Sequence, residues 1–220
     1  MAPRDKAFLL ARPETALLRW LARRTPARLV PDHFTALALL AAAGIAAAYA
    51  LSAGHPALLW AAAGLLVVHW LGDSLDGTLA RVRGIERPRY GYYLDHLADA
   101  AATAMIGIGL GLSPHLMLAS GMALVIAYFA LSINTYLETH ALGVFSLGYG
   151  RLGPTEARVG LIVVNTALAL GVAPVVAGLS VLDVAVLGVA AAMLVALVVR
   201  AARNLRSLAR LEPARPQAAP

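Results

Sequence analysis

Residues 56–81 read PALLWAAAGLLVVHWLGDSLDGTLAR. Nothing from 56 to 72 carries a formal charge, yet the run passes without a break into Asp73 and Asp76. At 1.5 Å per residue, ~20 apolar residues cross a ~30 Å hydrocarbon core, so 56–80 predicts a membrane helix with a polar end. Five more stretches have the same character, at 33–53, 92–112, 115–138, 155–173 and 181–200. Turn signals separate them: Gly54-His55-Pro56, Ser113-Pro114-His115, Gly150 to Pro154, and Pro174 to Ser180. The expected fold is all-α and integral to the membrane, with six transmembrane helices.

The composition agrees. Of 220 residues, 60% are hydrophobic and 14% charged, and the mean hydropathy is +0.73. A soluble surface cannot be built from that balance, and the apolar blocks follow one another too closely for a separate soluble domain. There is no cysteine, which excludes disulfide frameworks, thiolate metal sites and cysteine nucleophiles. The net charge of +6 does not form a basic face of the kind that binds nucleic acid. Near the start only Ala7 to Ala11 is apolar, short of a secretory signal, so insertion is expected from the later helices.

Lys and Arg bracket the spans on one side. Seven precede residue 33, four lie in 81–89, two are Arg151 and Arg158, and five run from Arg200 onward, which accounts for all 18. Cationic loops stay in the cytoplasm, so both termini and the 81–91 and 139–154 links are expected there, in a bacterial-type inner membrane. Ahead of the first span, Leu17, Leu18, Trp20 and Leu21 alternate with Arg19, Arg23 and Arg24. That pattern predicts an amphipathic helix at the membrane interface. The expected division is a basic amphipathic segment 1–32, a membrane domain 33–200 and a basic, proline-rich cytoplasmic tail 201–220.

Carboxylates at membrane depth are costly, ~2.5–3.5 kcal/mol each on insertion scales, so a cluster implies a task. Asp73, Asp76, Gly77, Ala80 and Arg81 occupy i, i+3, i+4, i+7 and i+8, one stripe of a helix. Gly91, Asp95 and Asp99 form a second stripe at i, i+4 and i+8. A short link joins the two, so they are expected to face each other near the cytoplasmic interface. Four converging carboxylates repel unless cations neutralise them. Oxygen ligands without His or Cys favour Mg²⁺, Mn²⁺ or Ca²⁺ over zinc, and two such ions suit a diphosphate undergoing in-line displacement. Gly77 and Ala80 leave room for a ligand to approach, and Arg81 offers a fork for phosphate. A cation transporter or channel lined by the same acids is the alternative.

These residues resemble the signature of the CDP-alcohol phosphotransferase family: Asp, two residues, Asp-Gly, two residues, Ala-Arg, eight or nine residues, Gly, three residues, Asp, three residues, Asp. Every position is matched by Asp73, Asp76, Gly77, Ala80, Arg81, Gly91, Asp95 and Asp99. The resemblance implies a homodimer with a six-helix core and a site open to the cytoplasm. It implies that the four aspartates bind two divalent cations, Mg²⁺ or Mn²⁺, with Asp99 also the general base. Gly77, Ala80, Arg81 and Gly91 would line the CDP pocket. It further implies transfer of a substituted phosphate from a CDP-linked donor to an alcohol acceptor, one of them a lipid, with release of CMP. Pro31-Asp32-His33-Phe34-Thr35 is similar to the family's Pro-Asn…Thr entry to the first span, although Asp32 replaces the usual Asn; the resemblance would put Thr35 near the nucleotide.

A second group, Tyr136, Glu138, His140, Arg151, Glu156 and Arg158, lies near the cytoplasmic ends of the fourth and fifth spans. It reads either as an acceptor pocket or as helix-end chemistry, with Pro154 opening a helix and Glu156 in its first turn. Its acids favour an acceptor without a phosphate group. Tyr90, Tyr92, Tyr93 and Trp70 read as interface aromatics, Ser180 and Asp183 as a capping box, and Gly107 and Gly111 as a close contact between protomers.

Overall fold

A computed structural model describes residues 11–143, 153–176 and 179–213. The chain forms α1 (Ala11–Arg24), α2 (Pro31–Leu51), α3 (Leu58–Arg83), α4 (Pro88–Gly111), α5 (Leu118–Leu142), α6 (Pro154–Ala169) and α7 (Val181–Leu211). A two-residue antiparallel pair, β1 (Val175–Val176) with β2 (Leu179–Ser180), precedes α7. The fold is therefore helical, and a helix stands at each of the six apolar stretches.

Local chemistry sets the boundaries. Pro31, Pro88 and Pro154 open α2, α4 and α6 at N1 or N2, where the missing N–H costs nothing. Gly84 and Gly143 end α3 and α5 in the left-handed conformation, at φ 64° and 67°. Ser180 caps α7, its Oγ accepting from the Asp183 N–H at 2.9 Å. Asp183 then accepts from the Met117 N–H at 2.9 Å, which ties the start of α7 to the start of α5. The apolar run stops near Arg200, but α7 continues to Leu211. At 31 residues it is about 46 Å long, more than a bilayer core is thick.

Four helices, α2, α3, α5 and α7, are long and apolar enough to cross a membrane. The other two fall short for visible reasons: α6 has 16 residues, and α4 carries Arg89, Asp95 and Asp99 in its first half. Large apolar side chains such as Leu40, Val67 and Val195 point outward, as lipid contact requires.

The packing order explains why a cleft exists. Both α3 and α4 pack on α2 more than on each other, α6 and α1 lie against α3, and α5 joins α4 to α7. The main core holds Ile45, Tyr49, Leu59, Leu66 and Leu110, all buried. A smaller one docks α1 on α3 through Leu18, Ala22, Leu75 and Leu79. Close approach of α2 to its neighbours depends on two glycines. A Cβ at Gly72 would sit 2.6 Å from the Phe34 carbonyl oxygen, and one at Gly109 would sit 2.5 Å from the Ala46 Cα.

One expectation is corrected here. Gly107 and Gly111 serve contacts within the chain: added Cβ atoms would meet Val125 Cγ2 at 2.5 Å and Leu118 Cα at 3.0 Å, both next to or on α5. They let α4 and α5 approach each other and leave nothing to argue for a contact between protomers.

Candidate active site

The two aspartate stripes meet across the gap between α3 and α4. Carboxylate oxygens of Asp73, Asp95 and Asp99 all lie within 4.8 Å of one another. They line a small cleft bounded on the α2 side by Thr35, Ala38 and Leu39. His69 and Asp76 complete the α3 wall, and Ala98 and Ala102 the α4 wall. Because α2 separates α3 from α4, the acids converge without the helices closing over them.

Asp76 belongs to the same cleft but plays a different part. Its Oδ2 accepts from Thr35 Oγ at 2.6 Å, and its Oδ1 accepts from the Gly77 N–H at 2.5 Å. Three of the four aspartates thus form the close triad, while the fourth is held beside it by α2. Thr35, suspected from the sequence, reaches the site through this bond.

The other signature residues continue the stripe outward from the cleft. Arg81 folds back over Gly77, where an added Cβ would lie 3.3 Å from its Nη1, and its Nη2 donates to Thr78 Oγ at 3.2 Å. A side chain at Gly77 would crowd the guanidinium there and push it outward by a few tenths of an ångström. Ala80 is half-buried, and Gly91 is exposed one turn ahead of Asp95 with open space where a side chain would stand. None of Gly77, Ala80, Arg81 and Gly91 lines the triad's own cleft, so any ligand touching them extends from it toward the 84–87 turn. Asp32, at the family's Asn position, pairs with Arg87 and accepts from Tyr90 Oη at 3.1 Å. That hydrogen bond with Asp32 raises the Arg87 guanidinium above its ordinary value.

The second group does not assemble as one pocket. Arg158 goes to the triad: its Nη2 donates to Asp73 Oδ2 at 2.6 Å, and its Nε donates to His69 Nδ1 at 3.1 Å. His69 therefore takes that bond on its Nδ1 lone pair and carries its proton on Nε2. Glu138 is bound at 2.5 Å by Arg200 of α7, and both side chains are largely buried. Glu156 accepts the Gly153 N–H at 2.9 Å, the helix-end role. His140 is exposed at the end of α5, and Arg151 lies outside the described residues. Tyr136 makes an edge contact with His96, which in turn stacks on Tyr92.

Sequence reasoning missed His69 and Arg200. His69 stands four residues before Asp73, on the same stripe, and that spacing could have found it. Arg200 was read only as orientation charge, and nothing local points to Glu138. Trp70, read as an interface aromatic, donates to Glu14 of α1 at 3.2 Å.

A search of curated proteins finds no match to this chain. The family model described as CDP-alcohol phosphatidyltransferase matches residues 28–169, from just before α2 to the end of α6. That range includes all four aspartates, Arg81 and Arg158, and covers well over half of the chain. On that match the chain belongs to the CDP-alcohol phosphatidyltransferase family, membrane transferases of phospholipid synthesis that pass a phosphate-linked group from a CDP-alcohol to an acceptor.

Proposed function

We propose that this chain moves a substituted phosphate from CDP-diacylglycerol, or from CDP-choline or CDP-ethanolamine, to an alcohol and releases CMP. The observation that carries the reading is the triad of Asp73, Asp95 and Asp99 oxygens within 4.8 Å of one another, walled by Asp76. An all-oxygen, carboxylate-rich set fits hard divalent cations, and the buried His69 offers no Nδ1 because Arg158 occupies it. Asp73, Asp76, Asp95 and Asp99 would hold two Mg²⁺ or Mn²⁺ ions, with Ca²⁺ a non-productive occupant. When bound, such ions neutralise the diphosphate and the charge developing on the leaving CMP.

The chain's own groups do the rest. Asp99 takes the proton of the acceptor hydroxyl, whose oxygen attacks the β-phosphorus. The bond from that phosphorus to the bridging oxygen breaks, and CMP departs with the bonding electrons. Arg81, poised over Gly77, binds donor phosphate, with Gly77, Ala80 and Gly91 admitting the cytidine end and Thr35 holding Asp76 in place. Arg158 is committed to Asp73, which supports an acceptor without a phosphate group. His140, Glu156, Glu138 and Arg151 are the remaining acceptor candidates, and Glu138 is the weakest of them because Arg200 neutralises it.

The test is divalent-dependent release of CMP across a panel of donors and acceptors. Turnover of one CDP-linked donor only in the presence of Mg²⁺ or Mn²⁺ is expected. Cation flux through reconstituted vesicles with every donor left intact would instead favour the transporter reading.

The same reading has α4 and α6 crossing with the other four helices, both termini and the site in the cytoplasm of a bacterial-type inner membrane, and a homodimer. The one-sided cationic residues support that orientation. Because cysteine is absent, Ile85→Cys and Gly54→Cys report it cleanly, and both positions are exposed. Ile85→Cys should be labelled by an impermeant maleimide only from the cytoplasmic side, and Gly54→Cys only from the outer side. Labelling of position 85 from outside would overturn the orientation.

A further inference from the structure

Glu14 is the single acid of α1, and the membrane reading of that helix gives it no task. In the structure one of its oxygens, Oε1, is the meeting point of three donors from two other helices. Trp70 Nε1 and Ser74 Oγ reach it from α3 at 3.2 and 3.4 Å, and Thr155 Oγ reaches it from α6 at 3.1 Å. Trp70 and Ser74 flank Asp73 in sequence, and Thr155 stands three residues, nearly one turn, before Arg158. The contact thus sits beside the place where Arg158 meets Asp73. Leu18 and Ala22 hold the same face of α1 against Leu75 and Leu79, while Arg19, Arg23, Arg24 and Trp20 remain exposed on its outer side.

We infer that Glu14 is a positioning residue: from the surface helix α1 it fixes the first turn of α6, and with it the placement of Arg158 against Asp73. The inference rests on the reading of the aspartate cleft as the reaction site. Two features make an acceptor oxygen suitable here. Hydrogen bonds to a charged acceptor are worth more than neutral ones, and three of them on one atom leave little freedom among the helices that supply them. The α6 end of this contact is the start of a 16-residue helix, whose polar ties to the bundle among the described residues include Arg158 to His69 and Asp73 of α3 and Asn165 to Tyr49 of α2.

The experiment compares Glu14→Ala, Glu14→Gln and Thr155→Val, with Asp99→Asn beside them, in CMP release from the donor found active. Every partner donates to Oε1, so a glutamine carbonyl can replace the carboxylate. Glu14→Gln should keep kcat within about twofold, whereas Glu14→Ala and Thr155→Val should lower it roughly tenfold with the lipid KM little changed, because small misplacements near reacting groups are costly. The double variant Glu14→Ala/Thr155→Val should be no worse than Glu14→Ala alone, since the Thr155 bond is among the three that Glu14→Ala already removes. Trypsin should cut at Arg19, Arg23 and Arg24 faster in Glu14→Ala than in Glu14→Gln. If α1 only holds the enzyme on the bilayer, the lipid KM rises and kcat stays, which overturns the inference. Equal damage from Gln and Ala, or additive losses in the double variant, also overturns it. Should Glu14→Ala fail to fold, Thr155→Val alone decides by its kcat. Loss of activity in Asp99→Asn alone defeats only the positioning role; full activity in Asp99→Asn defeats the site reading itself.

Discussion

Asp99→Asn is expected to lose ~10²–10⁴ of its turnover while remaining folded. The amide keeps the shape of the side chain and cannot take the proton of an acceptor hydroxyl. Folding should survive, because one negative charge is removed from a triad whose oxygens lie within 4.8 Å of one another, and that relieves repulsion. Asp95→Asn should behave differently. It removes a ligand without removing the base, so its rate should be low at ordinary Mg²⁺ and recover in part as Mg²⁺ or Mn²⁺ is raised. Initial rates of CMP release against metal concentration separate the two: a plateau for Asp99→Asn that stays depressed however much metal is added, and partial recovery at high metal for Asp95→Asn. Near-normal rates in both at saturating metal would rule out the aspartate triad as the reaction site.

What the sequence discloses is set by the range of the interactions involved. Asp73, Asp76, Gly77, Ala80 and Arg81 lie on one helix, and the helical period alone puts them on one face. The proline and glycine signals are equally local, which is why the helix positions were legible from residues such as Pro31, Pro88 and Pro154. Partners across the fold are a different matter. Arg158 reaches Asp73 over 85 residues, Arg200 reaches Glu138 over 62, and Thr155 reaches Glu14 over 141. Periodicity says which face of a helix is polar but not which neighbour that face meets. Gly107 and Gly111 fail in the same way: small residues announce close approach, and only the packing of α4 on α5 identifies the partner. The separation of Asp76 from the triad was also hidden, because it depends on Thr35 arriving from α2.

Arg200→Ala is expected to lower stability, by at most about 3–5 kcal/mol, since removing one member of a largely buried ion pair leaves the other charge poorly compensated. Here Arg200 meets Glu138 at 2.5 Å with their side chains only 15% and 11% exposed. On α7, Leu197 and Met193, about one and two turns before Arg200, are part-buried as well. Glu138→Ala should cost less than Arg200→Ala if the arginine can swing toward the headgroups, as long cationic side chains at helix ends do. The decisive variant replaces both. Glu138→Leu/Arg200→Leu should recover most of the lost stability, because an apolar pair of similar bulk avoids the desolvation that the ions incur. Thermal unfolding in detergent measures the first part, and CMP release by the refolded double variant measures the second. Wild-type turnover in that variant would assign Glu138 to joining α5 with α7 and remove it from the acceptor site. A stable double variant with a sharply raised acceptor KM would instead restore Glu138 to that site, with Arg200 as the group that holds it there.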